Sequence, residues 1–184
     1  MRKLVFTAAV GGSLLIALVG GSFALAHQDR GGPVRADLNG YEETPSVSTA
    51  AHGEFRAEID RDDNEIHYRL SYEGIEGATT TGSHIHLGQR HTAGGVSAFL
   101  CGGGDKPACP AKSATIEGTI DAADVIGPAG QGIAAGELNE LVRAIRAGAA
   151  YANVHSNIFP NGEIRGQLRA GGKSSGKGHG GDDD

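Results

Sequence analysis

The chain has 184 residues, a formal net charge of −6 at pH 7, 31 glycines and two cysteines. Its 16 Lys and Arg residues form no cluster able to track phosphates, so nucleic acid is not an expected partner. No H-E-x-x-H helix or P-loop occurs, and the chain leans away from a hydrolytic enzyme.

Residues 1–26 read as a signal peptide. Arg2 and Lys3 precede an apolar run starting at Leu4, which ends in the small-x-small pattern Ala24-Leu25-Ala26. The run is also close to the roughly 20 residues that span a bilayer, so an uncleaved anchor is the alternative. Cleavage leaves no membrane span and makes His27 the first residue of an extracytoplasmic protein, periplasmic or secreted. After a short linker, 27–32, one domain is expected over 33–169. The Gly, Ser and Asp residues of 170–184 cannot bury a core and predict a disordered tail, with His179 and Asp182 to Asp184 at a solvated end.

Period-two alternation dominates the domain. Val34 to Asn39 is the first strand candidate. In Gly53 to Asp60, Phe55, Ala57 and Ile59 share one face and Glu54, Arg56 and Glu58 the other. Asp62-Asp63-Asn64 supplies a turn, and Glu65 to Tyr72 returns with Ile66, Tyr68, Leu70 and Tyr72 in phase, which predicts a hairpin. Further candidates are Ser83 to Leu87, Val96 to Cys101, Ala114 to Ile120, Ala150 to Ser156 and Glu163 to Arg169. This pattern predicts an all-β, antiparallel, Greek-key-like β-sandwich. One short helix interrupts it: Leu138, Leu141, Val142 and Ile145 form an apolar stripe, with Gly148 placed to end the helix.

The last hairpin turns at Pro160-Asn161-Gly162. Pairing Val154 with Ile164 aligns Ala152 with Gly166 and Ala150 with Leu168. On the opposite face it aligns Asn153 with Arg165, Tyr151 with Gln167 and His155 with Glu163.

Two groups carry chemistry. Cys101 and Cys109 flank a Gly-rich stretch, and in an exported chain the simplest reading is a disulfide. His84 and His86 stand two apart on a strand and so point the same way. With His155 they take the non-core sides of their strands, and the three are the candidate metal ligands. His91 and His27 are possible additional ligands, and Glu163 is the carboxylate expected to orient His155. Imidazole ligation favours copper, with zinc second. His52 and His67 read as ordinary surface histidines.

LNGYEETP (Leu38 to Pro45), SHIHLG with the following GGV, FLCGGG with the later CP, GTIDAADVIGP (Gly118 to Pro128), LVRAIRAG and YANVHSNIFPNGEIRGQL together resemble the CHRD family, first described in chordin. The resemblance spans roughly Val34 to Leu168 and implies an all-β sandwich in an extracytoplasmic setting. It implies no settled activity. At the level of the site alone, His84, His86 and His155 resemble the copper histidines of copper-zinc superoxide dismutase. The dismutase GPH-type loop and zinc segment are absent from this chain. Three functions follow as expectations: a metal-holding binding module, a metal-free structural or protein-interaction module of the envelope or extracellular matrix, and a copper redox enzyme.

Overall fold

The computed structural model describes residues 32–60 and 64–171. The expected signal peptide, His27 and the tail lie outside the described residues. The described residues form nine strands: β1 (Val34–Asn39), β2 (His52–Asp60), β3 (Glu65–Glu73), β4 (Thr80–Leu87), β5 (Gly95–Cys101), β6 (Ala114–Ile120), β7 (Ala150–Ser156), β8 (Ile164–Gln167) and β9 (Arg169–Ala170). Among the described residues the one α-helix, α1 (Leu138–Arg146), precedes β7.

Every strand pairing is antiparallel. The hydrogen-bonded order is β5-β4-β7-β8-β1-β2-β3-β6, with β9 also on β1. Two four-stranded halves, β5-β4-β7-β8 and β1-β2-β3-β6, therefore form one sheet that wraps into a nearly closed sandwich. The joint is slender, since β8 meets β1 only at the pair Asn39–Arg165, and β9 takes the other end of β1 at Val34 and Arg35.

The alternation read in the sequence sets the core. Val34, Ala36 and Leu38 of β1, Phe55, Ala57 and Ile59 of β2, and Ile66, Tyr68, Leu70 and Tyr72 of β3 are buried, with exposed or half-buried residues between them. From the other half come Ile85, Ala98, Leu100, Ala150, Ala152, Val154 and Ile164. The stripe Leu138, Leu141, Val142 and Ile145 of α1 is buried, and Gly148 at φ 68 turns the chain out of the helix. The all-β fold with a short covering helix is thus as the sequence predicts.

Register is also as expected in the last hairpin, where Val154 pairs with Ile164, Ala152 with Gly166, Asn153 with Arg165 and Tyr151 with Gln167. Cys101 and Cys109 form a disulfide that closes the Gly-rich loop after β5. Within that loop the Gly102 N–H donates to the Pro107 carbonyl at 2.8 Å.

Candidate metal centre

The site is built on two strands that lie far apart in the chain and side by side in the sheet. In the β4–β7 register, His84 faces Asn153, His86 faces Tyr151, and Gly82 faces His155. Period two does the rest: Ile85, Ala152 and Val154 enter the core, and the residues between them line the outer face. Gly82 leaves room for His84 beside it, since a Cβ there would sit 3.2 Å from His84 Nε2.

On this face His84, His86 and His155 converge, with one nitrogen from each within 4.8 Å of the others. His84 Nδ1 and His155 Nε2 are 3.1 Å apart. The His84 ring meets Phe99 of β5 edge-on at 4.8 Å between centroids, and His86 stacks on Tyr151 at the same separation. From β8, the Arg165 guanidinium lies 3.4 Å from the centre of the Tyr151 ring. Tyr151 is thus held between a histidine from one neighbouring strand and an arginine from the other.

Loops roof this outer face. His86 Nδ1–H donates to the Gly94 carbonyl (3.0 Å), and His155 Nδ1–H to the Pro160 carbonyl (2.9 Å). Arg165 donates to the Gln89 carbonyl at 2.9 Å, and Glu42 ties the 40–47 loop to Arg90 through a two-point ion pair. Glu43 comes in from the same loop and is buried; its Oε1 accepts from Asn153 Nδ2 at 3.4 Å. Gly162, at φ 125, is needed in the hairpin turn, because a Cβ there would stand 2.4 Å from Glu43 Oε1.

Burial governs the protonation states. It pushes His84 down to about 3, helped by His155 and His86. It pushes His86 down to about 4, and the bond to Gly94 only partly opposes this. His155 is lowered by burial against the pull of Pro160. Burial raises Glu43 to about 7 despite Asn153 and Arg165. At neutral pH the three imidazoles are neutral, the form that binds metals. Because the Gly94 carbonyl fixes hydrogen on Nδ1 of His86, its Nε2 carries a lone pair. That atom is buried and has no hydrogen-bond partner.

The sequence named these three histidines without saying that they meet, and it misjudged their support. Glu163 is fully buried, yet its Oε1 accepts from Thr49 Oγ1 (3.0 Å) and the Glu76 N–H (2.8 Å), not from His155. The groups bonded to His155 are Pro160 and Asn153. Strand pairing ends at Val154–Ile164, so the ladder position once counted for Glu163 is already turn. His91 is exposed in the 88–95 loop at φ 60 and stands outside the triad. Glu43 was missed; its only trace in the sequence is the double acid of GYEETP.

The CHRD domain family matches residues 34–168, the span that carries both the sheet and the histidine face. This chain belongs to the CHRD domain family. No curated protein and no solved structure matches it. The CHRD fold and the disulfide of this chain together suggest an extracytoplasmic binding module. Among the described residues of the CHRD protein, no helix is long and apolar enough to cross a membrane.

Proposed function

We propose that this CHRD protein is an exported binding module that holds a transition metal at His84, His86 and His155. The observation that carries the reading is His86 Nε2, a buried lone pair with no partner, on a ring clustered with two other neutral imidazoles. Such an atom is costly without a ligand and ordinary with one. All-imidazole donors suit copper and zinc rather than magnesium or calcium, and copper binds nitrogen sites more tightly than zinc does. Removal of the N-terminal segment would add His27, whose amine and ring offer a further copper contact.

A second reading has its own support. The His84–His155 contact at 3.1 Å lets two of the rings satisfy each other without an ion, as in a module that binds an envelope or extracellular protein. Metal analysis and copper EPR on the untagged protein, beside a His84→Ala/His86→Ala variant, separate the two. The metal reading expects about one Cu(II) per chain at neutral pH, and it fails if the wild type takes up no more than the variant. Superoxide and peroxide assays on the loaded protein test the redox extension, and flat rates would retire it.

A further inference from the structure

Asn153 stands between the histidines and Glu43. Its Nδ2 donates to Glu43 Oε1, while its Oδ1 lies 2.8 Å from His155 Nε2. The second contact is not an ordinary hydrogen bond. The Pro160 carbonyl can only accept, so His155 carries its hydrogen on Nδ1, and a neutral imidazole has only one. Nε2 is then a lone pair, and an amide oxygen faces it.

Two acceptors at that distance repel unless a positive charge sits where they converge. A hydrogen on His84 Nδ1 could serve His155 Nε2 at 3.1 Å, but it would leave the amide oxygen facing a nitrogen that has nothing to give it. A metal ion meets the requirement. The 2.8 Å and 3.1 Å spacings from His155 Nε2 to Asn153 Oδ1 and His84 Nδ1 resemble the separations between neighbouring donors on one ion. Those separations are about 2.9–3.4 Å for bonds near 2.0–2.1 Å. While Glu43 is a carboxylate, turning the amide over would press its oxygen against an acceptor, so ionised Glu43 decides which end of Asn153 faces the histidines.

We propose that Asn153 Oδ1 is a fourth donor of the His84–His86–His155 metal site and that Glu43 is the positioning residue that aims it. This deepens the metal reading above and rests on it. The site becomes a neutral N₃O set whose nearest carboxylate acts from behind a ligand. Gln in place of Glu43 keeps an acceptor oxygen for Nδ2, whereas Ala removes it.

Cu(II) titration followed by EPR on the untagged protein tests this, with far-UV circular dichroism as the folding check. Asn153→Ala is expected to weaken copper binding by about 10–100-fold and to change the copper hyperfine pattern. Glu43→Ala is expected to weaken it about tenfold, and Glu43→Gln to stay near the wild type. If Asn153→Ala does not fold, Asn153→Asp decides, because an anionic oxygen in the same place must shift the spectrum. A wild-type spectrum and affinity in both Asn153 variants overturns the assignment. Where the wild type binds and His84→Ala/His86→Ala does not, that result removes Asn153 alone. A wild type that takes up no copper removes the metal reading and this inference together.

Discussion

On the outer face of β1-β2-β3-β6, Arg56 meets Glu54 at 2.6 Å, His52 meets Glu73 at 2.7 Å, and Arg69 meets Glu117, all open to solvent. On the outer face of β5-β4-β7-β8, Asn153 and Arg165 are 2% exposed and His86 8%. Both faces are polar and both follow from the same alternation. They differ in what lies over them. Among the described residues nothing roofs the first, so its charges stay hydrated and each pair adds little. The 40–47 and 88–95 loops cover the second, so its polar groups must find partners or a ligand. A buried polar face is thus a stronger pointer to function than a polar face alone.

The sharpest way to break this contrast is Arg165→Ala. Losing the contact with Tyr151 and the packing of a side chain that is 2% exposed should cost about 2–4 kcal/mol in urea unfolding. A cost near zero would mean the roofed face is no more demanding than the open one. Replacing Cys101 and Cys109 with Ser comes next, at about 2–3 kcal/mol from the freed loop. It should also loosen the end of β5, visible as faster amide exchange near Phe99 and His84.

A pH series probes the same face. Folding lowers the proton affinity of His84 and His86 from the usual 6.5 to about 3 and about 4. The unfolded chain therefore binds more protons, and stability falls as pH drops from about 6.5 toward 4. Glu43 works in the opposite direction: its rise from 4.5 to about 7 stabilises below 4.5 and loses that contribution as pH climbs through 7. Urea midpoints should decline between pH 7 and pH 4.5, with a flatter slope in His84→Gln/His86→Gln. An unchanged slope would show that these rings do not titrate with unfolding. The smallest effect belongs to the open face, where Arg69→Ala should cost at most about 1 kcal/mol. It should also leave copper uptake untouched.

Much of this was legible in the chain. Period two placed Phe55, Ile66 and Val154 inward, and Pro160-Asn161-Gly162 set the last register, because a two-strand turn is a local matter. The same register put Asn153 and Arg165 on the histidine side. Glu163 was misplaced because the regular ladder was carried one step into the turn, where the backbone no longer alternates. Glu43 could not be read at all, since an acid in a loop carries no periodicity to say where it points.

Amino-acid order alone determined which side of each strand faces the core, since side-chain direction depends only on neighbours along the chain. It could say that His84, His86 and His155 avoid the core. It could not say that β4 lies beside β7, a pairing between segments some seventy residues apart that is chosen by packing of the whole sheet. Tertiary structure alone made that choice, and with it brought the three rings together, roofed them, and set Asn153 and Glu43 behind them.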